Sequence, residues 1–153
     1  MRFELERPVG DEAGVLLAFG TVNCGLVVYV DGGGHLVYDH NAYSHHTVVR
    51  SPEPVPAGAS VLEVHQDRVR RGPGRARLLV HGRQVADSIV PLVPVMVSSI
   101  GMDIGRNPTG VSGAYEAPFP FAGHLARVEI GTTRAFRPEE EAAMELAAAA
   151  EMQ

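Results

Sequence analysis

Seven histidines are spread along the chain, and His35, His40, His45 and His46 fall close together, which brings imidazole chemistry to mind first. His45 and His46 are adjacent, so on a strand they face opposite sides and do not readily ligate one ion. With no cysteine partners and no His-Glu-x-x-His motif, surface or loop histidines are the expectation and no metal site is read. Asp31, Asp39 and Asp103 are carboxylates of the kind that hold calcium on sandwich loops, but their isolation in the sequence does not describe an oxygen cage. Glu63 and Glu129 are the pair that would have to flank a sugar for glycoside hydrolysis, a weak signal because any two strand residues can face each other. Tyr29, Tyr38 and Tyr43 lie in one region and could stack on a sugar; more often, such residues fill the rim of a sandwich core with the hydroxyl left at water. No Gly-x-Ser-x-Gly elbow supplies an activated serine. Arg68, Arg70, Arg71, Arg75 and Arg77 surround a Gly-Pro-Gly turn, and guanidinium forks suit phosphate or sulfate, yet a solvated hairpin tip is the preferred reading. The chain is therefore expected to carry no catalytic residue, no metal and no cofactor.

These residues must be positioned by short strands. Seventeen glycines and 11 prolines break 153 residues into brief apolar runs, the rhythm of a sandwich or barrel. Phe3 to Glu6 alternates as a half-buried strand does, and Gly14 to Gly20 and Gly25 to Val30 read as buried strands. Asp31 to Gly34 supplies turn chemistry before a strand from His35 to Tyr38. His46 to Arg50 follows, closed by the proline-rich Ser51 to Pro56. Val61 to Val64, Arg75 to His81, Gln84 to Val90 and Met102 to Arg106 continue the set, with a tight turn at His81 to Arg83. Phe119 to Ile130 ends it, with Leu125, Val128 and Ile130 as core. Pro138 suits the first position of a helix, and Glu139 to Glu141 suit its dipole. The Ala-rich run to Met152 favours a helix with Met144, Ala147 and Ala148 on one stripe, either a strap on its own domain or a docking arm. The expected organisation is a sandwich over 1–131, a linker over 132–137 and a helix over 138–152.

A net charge of -5 argues against a nucleic-acid binder. No apolar run reaches the length of a membrane-spanning helix, and the N-terminus lacks the apolar core of a signal peptide, so a cytoplasmic location is the default expectation. Cys24 is the single cysteine, which leaves no internal disulfide framework; an inert thiol at a strand end is expected.

Two stretches resemble known families. Gly14 to Gly58, with RARLLVHGRQVADS and the closing IGRN…FAGHLARVEI, looks like the concanavalin A-like, laminin-G-like jelly roll, which implies an all-β fold of two antiparallel sheets packed face to face, here followed by one C-terminal helix. Gly101 to Ile130, GMDIGRNPTGVSGAYEAPFPFAGHLARVEI, resembles the C-terminal region of bacterial arylsulfatases, where a stretch of the form DIGRD…PVSDDY…PFPFTG leads into the last strand. Leu36-Val37-Tyr38 followed by Asn41 is similar to that family's LVYEYN segment. Asn107 stands where the family often has Asp, Gly113-Ala114 replaces an acidic pair, and Asn23-Cys24 falls where relatives often show Gly-Trp. Sulfatases form formylglycine within Cys-x-Pro-x-Arg; Cys24 is followed by Gly25, Leu26, Val27 and Val28, so no active-site residue carries over. The resemblance implies a non-catalytic accessory domain whose partner is a sulfatase catalytic domain, on the same or a separate chain, with Arg106, Tyr115, Phe119 and Phe121 at the interface. The alternative, from the jelly-roll pattern alone, is a free-standing carbohydrate-binding module whose partner is a glycan.

Overall fold

In the first strand, β1 (Arg2–Arg7), Phe3 and Leu5 are buried while Arg2, Glu4 and Glu6 lean toward water, and this period of two sets the architecture. The computed structural model describes residues 1–68, 72–93, 101–132 and 138–151. After β1 come β2 (Gly14–Gly20), β3 (Cys24–Val30), β4 (His35–Ala42), β5 (His45–Pro54), β6 (Gly58–Arg68), β7 (Gly74–Val80), β8 (Arg83–Val90), β9 (Met102–Ile104) and β10 (His124–Glu129). The strands form two antiparallel five-stranded sheets, ordered β10-β1-β6-β7-β8 and β5-β4-β3-β2-β9. The protein is therefore all-β in its sandwich, as its alternating runs predict.

The core lies between the inner faces of the two sheets. Phe3, Leu62, Val64, Ala76 and Leu78 from the first sheet meet Leu16, Leu17, Val28, Val30, Leu36, Tyr38 and Val49 from the second. Each fully buried Val, Leu or Phe contributes about 1.5–3 kcal/mol, so this layer is the main source of stability. Leu125 and Val128 pack against its margin, whereas Ile130, expected in the core, is 52% exposed. It follows the last residue of β10, where the inward alternation has ended.

The turns follow their residues. His81 and Gly82 take φ of 50° and 76°, and Tyr43 and Ser44 take 54° and 68°. Both pairs have the doubly positive φ of two-residue hairpin turns, whose twist matches that of the flanking strands. β5 corrects one expectation, because it runs through Ser51, Pro52 and Glu53 to Pro54 rather than stopping at Arg50. It is an edge strand, and an edge tolerates prolines because half of its N–H groups have no ladder partner. The Ser51 hydroxyl accepts the Leu36 N–H at 3.0 Å where the β4–β5 register shifts.

One buried cation ties the loops at one end of the sandwich. Arg7 is 0% exposed, and its guanidinium donates from Nε to the Glu12 carbonyl at 2.7 Å, from Nη1 to the Val55 carbonyl at 2.7 Å, and from Nη2 to the Gly10 carbonyl. The segment between β1 and β2 is thereby pinned to the segment between β5 and β6. Pro138–Glu151 form α1, on which Leu146 is 74% exposed and Ala147 is exposed. The side chains of Met144 and Ala148, expected on its apolar stripe, lie outside the described residues, as do 133–137 of the expected linker. No helix among the described residues is long and apolar enough to cross a membrane.

Candidate functional site

Strand β4 places four polar side chains in succession, Tyr38, Asp39, His40 and Asn41, and all four are buried. Such a run in an interior strand is unfavourable unless hydrogen bonds answer it. Alternation sends Tyr38 and His40 between the sheets and Asp39 and Asn41 to the outer face of the second sheet.

Asn41 uses its amide fully. Nδ2 donates to the carbonyls of Val22 (2.7 Å) and Val111 (3.1 Å), and Oδ1 accepts the Ser44 N–H at 2.8 Å. It joins the β2–β3 turn, the β4–β5 turn and the long segment after β9. Asp39 is 2% exposed, and its carboxylate meets His46 Nδ1 at 2.8 and 3.0 Å. The β4–β5 register explains the meeting: Asn41 pairs with His46 and Asp39 with Val48, so His46 sits diagonally from Asp39 on the same face. The His46 side chain is 34% exposed.

The segment from Gly105 to Gly123 covers the β2–β3 half of this face. Gly105 donates to the Leu16 carbonyl (3.0 Å), Val15 to Phe119 (2.9 Å), Asn107 to Pro118 (2.8 Å) and Phe121 to Gly105 (2.9 Å). The fit is close: a Cβ on Gly14, where φ is +132°, would run into the backbone of Pro120 and Phe121. Tyr115 stacks on Phe119 at 4.9 Å and meets Tyr29 edge-on at 5.0 Å, over a patch formed by Val15, Ala18, Val27, Val37 and Val111. Asn107, 0% exposed, donates to the Tyr115 hydroxyl at 2.6 Å and accepts from Thr109 at 3.0 Å. Burial, reinforced by the Asp39 carboxylate, pushes the Tyr29 phenol up to about 12. Burial pushes Tyr115 up to about 12 as well, against the hydrogen bond from Asn107. Neither phenol is a base at neutral pH.

On the inner side, the Tyr38 hydroxyl bonds Gln66 on β6 and lies 3.3 Å from His40 Nδ1. His40 is 1% exposed, and among the described residues its Nε2 has no hydrogen-bond partner. Burial pushes this imidazole below its ordinary value, while the Leu92 backbone and Asp39 pull the other way. The expectation that the histidines are surface or loop residues is corrected for His40, which the inward phase of β4 buries.

The interface candidates separate. Tyr115 and Phe119 belong to the ring cluster on the outer face, Phe121 packs against the core between the sheets, and Arg106 is exposed. The three tyrosines also separate: Tyr38 is in the core, Tyr29 lies under the covering segment, and Tyr43 is 64% exposed at a turn. Glu63 and Glu129 lie opposite Arg2 on its two neighbouring strands, so an arginine stands between them. Asp31 accepts Gly33 N–H (2.9 Å), His35 N–H (3.0 Å) and Arg50 Nε (2.7 Å). Desolvation opposes its ionisation, but these donors prevail and hold the carboxyl below its usual value. Arg75 pairs with Asp87 and Arg77 with Asp67, while Arg70 and Arg71 lie outside the described residues. Among the described residues no three His, Cys, Asp or Glu side chains gather to hold a metal.

The Asp39–His46 pair is the arrangement that sequence reasoning missed. Its signal was the Tyr43-Ser44 turn, which fixes the hairpin register and hence the diagonal. Chemically, a carboxylate that accepts the Nδ1–H orients the imidazole ring. Compared with protein-family models, with curated proteins and with solved structures, the chain matches none.

Proposed function

We propose that this chain is a non-catalytic accessory domain of an arylsulfatase, a concanavalin A-like jelly roll that packs on the catalytic domain and shapes its cleft. The observation that carries the reading is the use made of the arylsulfatase-like segment. Its residues hold the fold together: Gly105 and Phe121 bond each other, Asn107 anchors Tyr115, and Phe119 accepts the Val15 N–H. A segment spent on covering a sheet is what an accessory domain requires, and it presents no nucleophile with a base in reach. The sheet orders, in which β1 lies between β10 and β6 and β2 between β3 and β9, are compatible with the jelly-roll type. In this reading the exposed Arg106 faces the catalytic domain, and α1 is a second point of contact.

Two measurements test the proposal. The pure chain is expected not to hydrolyse 4-nitrophenyl sulfate, and turnover would overturn the non-catalytic role. The DNA upstream of the Met1 codon is expected to encode Cys-x-Pro-x-Arg; a neighbourhood with no sulfatase frame would remove the partner.

A further inference from the structure

Val22 and Tyr43 are 60% and 64% exposed, and they sit on neighbouring turns at one end of the sandwich. The Ser44 N–H donates to the Asn23 carbonyl at 3.0 Å, and Asn41 Nδ2 donates to the Val22 carbonyl at 2.7 Å, so the two turns form one surface. The stretch around Val111 joins them: Asn41 Nδ2 also reaches the Val111 carbonyl (3.1 Å), and Thr109 Oγ1 donates to the Gly20 carbonyl (2.8 Å). Loops tied in this way have little freedom left to lose on binding.

Two features set this end apart. Residues 20–25, 41–49 and 107–115 include no Asp, Glu, Lys or Arg, in a chain with 18 acidic and 13 basic residues. Other exposed apolar side chains have charges close by in sequence: Val9 precedes Asp11 and Glu12, Met102 and Ile104 flank Asp103, and Leu146 follows Glu145. Tyr43 also has a φ of 54°, which glycine adopts readily and a bulky side chain does not. The chain carries that strain at a ring left mostly in water, where it gains little packing within its own fold. An exposed tyrosine among neutral polar groups, with charge excluded around it, is the make-up of a protein interface core.

The partner follows from the charge. With a net charge of -5 two copies repel, and a two-fold contact sets one patch against the same patch, so any charge there faces its own sign. The uncharged end lets two copies meet without that penalty. Its polar groups are self-complementary, because the Tyr43 phenol, the Ser44 hydroxyl and the Asn23 amide each donate and accept. We propose that the chain associates with a second copy of itself, as a weak two-fold dimer through the Val22 and Tyr43 turns. The inference does not rest on the sulfatase reading, and it stands if no sulfatase frame lies upstream.

The test is sedimentation of the pure chain from about 10 μM to 1 mM, with backbone amide NMR spectra over the same range. Three turns make a small contact, so a dissociation constant on the order of 0.1 mM is expected. The average mass should climb toward that of a dimer, and amide shifts should be confined to residues 21–24, 42–46 and 109–114. Tyr43→Gly should weaken association by about tenfold or more. Its urea midpoint should not fall, because glycine accepts the φ of that turn, and this separates a lost contact from a lost fold. Val22→Asp should weaken association similarly by setting a carboxylate against its own copy, whereas Val9→Asp, at the other end of β2, should leave it unchanged. A chain that stays monomeric throughout overturns the proposal. So does association that is unchanged in Tyr43→Gly or in Val22→Asp. Association that weakens as salt rises also overturns it, since screening should favour contact between two copies of like charge.

Discussion

Arg7→Met removes the guanidinium that pins the loops and keeps an apolar stem of similar length. The magnitude follows from the three carbonyls left behind. The bond to Val55 is buried, and losing a charge-assisted bond of that kind costs about 1.5–3 kcal/mol. The bonds to Glu12 and Gly10 are only partly buried, so water can replace them, and each contributes about 0.5–1.5 kcal/mol. Relief from burying a cation offsets part of the sum, giving an expected loss of roughly 2–4 kcal/mol. Against a total stability of about 5–15 kcal/mol that is a large fraction. The chain has no tryptophan, so far-UV circular dichroism in urea is the convenient assay. With m near 1–3 kcal/mol/M, the midpoint should fall by about 0.7–4 M. Arg7→Lys should recover little, because one ammonium cannot span three carbonyls on separate segments. A loss below about 1 kcal/mol for Arg7→Met would refute the reasoning and mean that the core alone fixes these loops.

Two further outcomes are expected. The folded-state value of His40 is lowered by burial, so as pH falls through about 6.5 the unfolded chain takes up the proton first. Stability attributable to His40 is therefore present above that pH and falls below it, by at most about 1.4 kcal/mol per pH unit; urea midpoints between pH 7.5 and 5 should fall less steeply in His40→Leu, and an unchanged slope would show that His40 is not the responsible group. Asp39→Asn should change stability by less than about 1 kcal/mol in thermal or urea unfolding, since the buried carboxylate meets a single donor group, whereas Asp31→Ala should lose about 2–3 kcal/mol with its three donors. The reverse ranking would show that Asp39 is held for stability.

The strands were legible because alternation and Gly/Pro punctuation are local. Gly14 to Gly20 and the turn at His81-Gly82 could be read without knowing what lies across from them. The continuation of β5 through two prolines could not, because it depends on that strand being an edge, which is a property of the sheet order. Nor could the parting of Tyr29 from Tyr38: each alternates correctly in its own strand, but the register places Tyr29 opposite Val37, on the outward phase. Asp39 and His46 were visible only as separate residues, one weighed for calcium and the other for a metal. Their pairing needs the hairpin register and the choice of face together. Arg7 gave no signal, since nothing in ERPVGDE distinguishes an arginine bonded to carbonyls from one in water.

The polar residues that build this fold share a property that separates them from those at the candidate site. Asn41, Asp31 and Arg7 each divide their polar atoms among several partners on different segments and hold loops together, and Asn107 does so within the covering segment. His40 and the Asp39–His46 pair depart from that economy on opposite faces of one strand. Among the described residues His40 leaves Nε2 without a partner, but it is sealed between the sheets, where it can influence stability and not reach a ligand. His46 is the one of the two that combines a fixed ring orientation with access to solvent, on the half of the face that the aromatic segment leaves open. Stability therefore accounts for the covering segment and for most of the buried polar groups.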